Sequence, residues 1–253
     1  MSELVADAPP RRRLLRHRPG AWTVIVVAST LVLLAAALLF AVLWSTSNKT
    51  SSTSYTAQLP STLLRIEMQL GDGSVEIVGG GSPEVLVERL DSSAFGHWPT
   101  EKRFVADGVF RIETTCPELV IGECAADYRI TVPEKTPLAI VAEHGDIRLN
   151  AIRGPALVSS RDGSITVDAF CGSVLDASAS GGDVDVAATC PTSRMTLRTG
   201  SGDIHARVPP GEYSVDAGSL NGDVAVDGIV DNPSARSRIQ ALSNDGDVEL
   251  VAG

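Results

Sequence analysis

Seven glycines in this sequence sit inside one recurring frame of apolar residues, and that frame limits the chain to a fold of short, stacked strands. In each copy, apolar residues stand seven and five positions before the glycine and two and four positions after it, with Asp or Ser directly following it. Gly73 is framed by Ile66, Met68, Val75 and Ile77; Gly145 by Leu138, Ile140, Ile147 and Leu149; Gly163 by Ala156, Val158, Ile165 and Val167. Gly182 has Leu175, Ala177, Val184 and Val186, and Gly202 has Met195, Leu197, Ile204 and Ala206. Gly222 has Val215, Ala217, Val224 and Val226, and Gly246 has Ile239, Ala241, Val248 and Leu250.

A spacing of two turns one side of a strand inward, so each copy predicts two short strands joined by a tight turn at its glycine. Asp162-Gly163, Asn221-Gly222 and Asp245-Gly246 are dipeptides suited to φ > 0 in such turns. From Gly145 onward the glycines recur at intervals of 18, 19, 20, 20 and 24 residues, which predicts six units lying head to tail. A period near 20 with two strands per unit indicates an all-β domain, a β-solenoid or a related stacked-strand repeat. The aromatic content of 4% agrees, since aliphatic side chains fill narrow coils. Residues 78–137 break the pattern, with strand-like runs at Val85–Leu90, Val109–Thr115 and Tyr128–Val132 and a Gly-His-Trp-Pro loop at 96–99. This stretch is expected to form a sheet or cap over one end of the stack.

Stacking places Ser74, Asp146, Ser164, Asp183, Asp203, Asp223 and Asp247 along one edge, roughly 4.8 Å apart. Carboxylates and turn carbonyls could form a calcium ladder there. The preferred reading is turn chemistry, with the side chains accepting hydrogen bonds from nearby turn amides, because the Gly-Gly-x-Gly-x-Asp spacing of calcium-binding coils is absent. His97, His144 and His205 do not occupy matching template positions and read as solvated strand-end residues. No Gly-x-Ser-x-Gly elbow, phosphate loop or His-Glu-x-x-His motif occurs, so neither catalytic, cofactor-binding nor metal residues are assigned and no cofactor is expected.

Ahead of the repeats, residues 21–44 run without a charge and are dominated by Val, Leu and Ala, with Trp22 and Trp44 near the ends. As a helix they span ~36 Å, enough for one transmembrane crossing. Arg11, Arg12, Arg13, Arg16 and Arg18 precede them, and this positive flank predicts a cytoplasmic N-terminus with the rest of the chain exported across the cell membrane. A cleaved signal peptide, cut after Ser47, is the competing reading, but its apolar region usually runs only about 7–15 residues. Residues 45–62 are rich in Ser and Thr and read as a flexible stalk, containing the sequon Asn48-Lys49-Thr50. The organisation expected is a basic stub at 1–20, a transmembrane helix at 21–44, a stalk at 45–62 and an extracytoplasmic β-repeat domain at 63–253. The net charge of −10 comprises +3 in residues 1–44, five Arg against Glu3 and Asp7, and therefore −13 in the remainder. So acidic a domain repels nucleic acid.

Cys116, Cys124, Cys171 and Cys190 form an even set in a chain read as exported, which favours two disulfides. Zinc would need a Cys-x-x-Cys pair or a histidine at ligand spacing, and neither is present. Cys116 and Cys124 flank a seven-residue loop between strand-like runs. Cys171 and Cys190 lie 19 residues apart, each four positions after the last apolar residue of its unit, so they should meet at equivalent corners of consecutive coils.

The Cys116-Pro117 to Cys124 loop, the strand Asp127-Tyr128-Arg129-Ile130-Thr131-Val132-Pro133 and the serial Gly-Asp-Val/Ile units together resemble the bacterial putative-adhesin family, a domain of unknown function. The resemblance covers about residues 63–253 and implies a β-solenoid on the cell envelope without enzymatic activity. The anchored N-terminus is similar to that of actinobacterial members. Its expected partners are the membrane and an envelope protein or glycan. The alternatives are an envelope-stress or regulatory accessory membrane protein and, third, a polysaccharide-acting enzyme using paired carboxylates.

Overall fold

A computed structural model of the protein describes residues 20–47, 49–57, 65–94, 97–117 and 122–253. The basic stub, Asn48 of the sequon, Gly96 of the Gly-His-Trp-Pro loop, residues 58–64 and the side chain of Trp44 lie outside the described residues.

Two units make up the chain, divided between Thr46 and Ser47. The first contains one helix, Ala21–Ser47, in which Trp22–Leu43 is long and apolar enough to cross a membrane. Within the apolar span Ser29 Oγ donates to the Val26 carbonyl at 2.9 Å, and Thr30 Oγ1 to the Val27 carbonyl at 2.9 Å. Hydroxyl groups bonded in this way are compatible with a lipid environment.

The second unit is the repeat domain, with two ten-stranded sheets. Each coil places one strand in each sheet. The Gly145 coil, for example, contributes Leu138–His144 to one and Ile147–Asn150 to the other. Strands of one coil therefore do not pair with each other. Each pairs in parallel with its counterpart in the next coil, as Ala156 does with Leu138 and Leu175, and Ile165 with Ile147 and Val184. The inward residues of both sheets merge into one hydrophobic cluster. In six coils every template residue is at most 4% exposed, which is the burial expected from the spacing of two.

The glycine dipeptides are thus corners between sheets rather than hairpin turns. Gly246 has φ 148°, but Gly163 and Gly222 do not have the positive φ expected of them. What all seven corners require is close approach. A Cβ on Gly145 would lie 2.1 Å from the Gly73 carbonyl oxygen, one on Gly163 2.2 Å from that of Gly145, and one on Gly246 2.0 Å from that of Gly202. A side chain cannot enter the column without moving a neighbouring coil.

The order of stacking differs from sequence order at both ends. The Gly246 coil, Arg238–Asp245 and Val248–Ala252, lies between the Gly202 coil and the Gly222 coil, leaving the latter outermost. Six units head to tail is therefore corrected to four, followed by two exchanged in position. At the other end the Gly73 coil stacks on the Gly145 coil although 72 residues separate their glycines.

Beyond the Gly73 coil lies an eighth coil that the template did not reveal. Val109–Thr115 and Cys124–Pro133 pair in parallel with the two strands of the Gly73 coil. Tyr128 aligns with Val75, which puts Ala126 in the glycine's place and Asp127 at the following position. Outside this coil the pairing becomes antiparallel: Val85–Ser93 runs against Cys124–Pro133, and Thr100–Ala106 against Val109–Thr115. The second pair is closed by Asp107-Gly108, with φ 51° and 74°, a two-residue hairpin connection. Residues 78–137 thus form a capped end.

Part of the segment read as a flexible stalk is ordered. Helix extends to Ser47, and Lys49–Ala57 forms a strand along Val85–Ser93 over nine residue pairs. Its Thr, Ser and Tyr residues suit an edge strand, and Tyr55 and Ala57 pack on the core.

Candidate functional site

The edge formed by the residues after each corner glycine is a continuous hydrogen-bond ladder. Asp127 Oδ1 accepts the Ser74 N–H at 2.8 Å, Ser74 Oγ that of Asp146 at 3.3 Å, and Asp146 Oδ1 that of Ser164 at 3.0 Å. Ser164 Oγ then accepts from Asp183 N–H at 3.1 Å, and Asp183 Oδ1 from Asp203 N–H at 2.9 Å. Asp203 Oδ1 accepts from Asp247 N–H at 2.7 Å, and Asp247 Oδ1 from Asp223 N–H at 2.8 Å. The side chains thus bind turn amides, but those of the adjacent coil rather than their own. Each carboxylate from Asp127 to Asp247 is held by a backbone dipole, which offsets the repulsion between like charges stacked in a row. Among the described residues, no group of three or more His, Cys, Asp or Glu is arranged to hold a metal ion.

A second ladder runs inside the first. Three positions before the glycine, Ser160, Thr199, Ser219 and Ser243 donate their hydroxyls to the carbonyls of Gly145, Gly182, Gly246 and Gly202 at 2.7–3.0 Å. These bonds satisfy corner carbonyls beside the core, where an unmade bond would cost about 1–3 kcal/mol.

The histidines lie in different settings. His144 ends its strand with Nδ1 3.2 Å from Asp72 and Nε2 3.4 Å from Asp162, the matching corner residues of the two flanking coils. His205 is within a strand on the outer face, Nδ1 3.1 Å from Glu249 Oε2. A shallow groove of about 290 Å³ beside it is lined by Asp168, Asp185, His205, Arg207 and Glu249. Burial raises the Asp185 carboxyl above its ordinary pKa. His97 belongs to the cap, where its N–H donates to the Ala94 carbonyl at 3.2 Å.

The sulfurs of Cys116 and Cys124 are bonded, with Cα atoms 6.1 Å apart, and so are those of Cys171 and Cys190, at 4.8 Å. The first pair closes the corner of the eighth coil, where the Gly-Asp turn is lacking. The second joins consecutive coils along the stacking axis.

Sequence reasoning missed the polar network inside the cap. Glu101 receives hydrogen bonds from Tyr128 Oη at 2.8 Å, Arg89 at 3.0 Å and Tyr55 Oη at 3.2 Å. Arg89 also binds Asp91 at 2.6 Å and the Pro99 carbonyl at 3.0 Å, while Tyr128 Oη meets Thr114 Oγ1 at 2.7 Å. Burial raises the pKa of Asp91 and of both tyrosines. Because the partners come from both sheets, the network ties the sheets together at this end. Every member is spaced irregularly in sequence, so no period could have exposed it.

Residues 126–251, about half of the chain, match the Toastrack DUF4097 family. The chain belongs to this family. Among solved structures, the Toastrack chain is similar to a putative cell adhesion protein from Clostridium sporogenes, at 16% identity and TM-score 0.50, over 81% of this chain and all of that one. A putative adhesin from Bacteroides fragilis gives 12% identity and TM-score 0.43, over 80% of this chain and 97% of that one. The first of these likenesses supports the shared fold. Curated proteins give no match.

Proposed function

We propose that this protein is a non-catalytic interaction module, held at the outer surface of the cell membrane by the Trp22–Leu43 helix with its N-terminus in the cytoplasm. The observation that carries the reading is the ladder, which commits five Asp and two Ser side chains to backbone amides of adjacent coils and ends where Asp247 accepts the Asp223 N–H. The most regular array of acidic groups in the domain thus serves the stack. Its outward faces remain available for contact. Paired cysteines fit an oxidising compartment, and the arginine flank favours a cytoplasmic N-terminus. The description of the Clostridium sporogenes protein as one of cell adhesion agrees.

Protease added to intact cells tests the reading. It is expected to remove the mass beyond the helix and leave a small membrane-bound fragment. Full-length protein surviving in intact cells, but digested once they are broken, would contradict the exported orientation.

A further inference from the structure

The two ends of the stack differ. At one, antiparallel strands and the Glu101 network close the core; at the other, the Gly222 coil is outermost, and while its Val215 and Ala217 pack partly on the core, its inward positions Val224 and Val226 are uncovered. Val224 and Val226 are 44% and 43% exposed, against 1% and 0% for the equivalent Val248 and Leu250 of the adjacent coil. The short strand Val230–Asp231 pairs with Glu212 and Tyr213, and Asp231 Oδ1 accepts the Val215 N–H at 3.1 Å, which leaves Val224 and Val226 uncovered.

The polar groups along the open corner are equally specific. In interior coils the corner glycine N–H donates to the next coil, as Gly202 does to the Asp245 carbonyl at 2.8 Å and Gly246 to that of Asn221 at 3.2 Å. Two residues later the pattern repeats, with Ile204 N–H donating to the Asp247 carbonyl at 2.8 Å and Val248 N–H to that of Asp223 at 2.9 Å. Gly222 and Val224 hold these positions in the last coil, and no coil follows among the described residues. Between them stands the Asp223 carboxylate, at the position that accepts an amide in every preceding coil. The edge therefore offers donor, acceptor and donor in a row beside an apolar strip, the complement of an extended backbone.

Charge selects the occupant. Residues 212–231 carry Glu212, Asp216, Asp223, Asp227 and Asp231 and no Lys, Arg or His. A second copy would bring the same five acids against these, and head-to-tail stacking is blocked by the cap at the other end. We infer that the open edge of the Gly222 coil captures an extended segment of a partner protein, with aliphatic side chains at alternate positions and Lys or Arg at its flanks, by adding it as a further strand. This deepens the interaction reading proposed above and rests on it.

The test uses full-length protein in detergent micelles and a fluorescent peptide, Lys-Lys-Val-Thr-Val-Thr-Val-Lys-Lys, followed by fluorescence anisotropy. Saturable binding is expected. It should weaken at least about tenfold with Val224→Pro, which removes an edge donor that makes no bond to the Gly246 coil. On the unaltered protein, it should weaken as much when alternate peptide amides are N-methylated, a comparison that stands even if the variant fails to fold. Equal affinity for the N-methylated peptide would reduce the contact to charge attraction and overturn the proposal, as would absence of binding at millimolar peptide. Self-association lost with Val224→Pro would also overturn it, in favour of a second copy. None of these results alters the protease experiment on intact cells, so failure here and failure of the exported reading are separable.

Discussion

Replacing Gly163 by Ala isolates the close approach of corner backbones from conformational strain, because Gly163 is not among the corner glycines with positive φ. The added Cβ would stand 2.2 Å from the Gly145 carbonyl oxygen and 2.5 Å from its carbon, both backbone atoms that no rotamer change can move. Relief requires the two coils to separate by roughly 1 Å at the corner, given that ordinary carbon contacts lie near 3.5 Å. Three bonds cross that corner: Gly145 N–H to the Asp162 carbonyl at 2.9 Å, Ile147 N–H to the Ser164 carbonyl at 3.0 Å, and Ser164 N–H to Asp146 Oδ1 at 3.0 Å. Overpacking of this kind costs about 1–3 kcal/mol, and weakening one or two of the bonds adds roughly 0.5–1.5 kcal/mol each. A loss of about 3–4 kcal/mol lowers Tm by roughly 10 °C in a domain of this size. Thermal melting by circular dichroism, with Gly81→Ala as control because nothing lies within 4 Å of its added Cβ, gives the comparison. A Gly163→Ala protein melting within about 2 °C of the unaltered one would refute the reasoning.

Calcium at millimolar concentration is expected to leave Tm where a chelator leaves it, since the ladder carboxylates are engaged by amides; a rise of many degrees would mean that an ion binds the folded state. Peptide mapping of non-reduced protein should recover Cys116 linked to Cys124 and Cys171 to Cys190, and Cys171→Ser with Cys190→Ser should cost about 3 kcal/mol of stability, with an unchanged Tm as the adverse result. Tyr128→Phe is expected to destabilise by about 1–3 kcal/mol, because it takes the hydroxyl partner from buried Thr114 and one of the three hydrogen bonds to Glu101, which keeps those from Arg89 and Tyr55. Burial raises the Tyr128 pKa, so its contribution is full below the unfolded value near 10 and declines as pH rises beyond it. The variant should lose that alkaline decline, and retention of the full decline would count against the assignment.

The sequence made the repeating element legible because one residue type and one spacing recur under one physical demand. A column of backbones in contact excludes every Cβ, and the spacing of two identifies the buried face. Order along the stack was not legible. Gly222 and Gly246 satisfy the template equally, and the difference lies in which coil can remain outermost. The 24-residue interval before Gly246 was the available sign, since its extra residues form the Val230–Asp231 strand and the return to Arg238.

The eighth coil escaped notice because Ala126 replaces the glycine and the disulfide-closed loop of residues 116–124 separates its strands. Asp127 with Tyr128 and Ile130 was its surviving signature. Lys49–Ala57 was obscured by composition: Ser and Thr suit a solvated linker and an exposed edge strand alike, and only the open edge of Val85–Ser93 decides between them.

Stacking order underlies both the identity of the open end and the partner proposed for it, and a disulfide cross-link measures it directly. His205 is the Cα partner of Glu249, which is the partner of Ala225, so residues 205 and 225 are two strands apart. Cysteines at 205 and 249 are therefore about 4.8 Å apart, within disulfide reach, whereas 205 and 225 are separated by roughly 9.6 Å. Mild oxidation is expected to link His205→Cys with Glu249→Cys rapidly and to leave His205→Cys with Ala225→Cys unlinked. Rapid closure of the 205–225 pair with none at 205–249 would place the last two coils in sequence order and contradict the account.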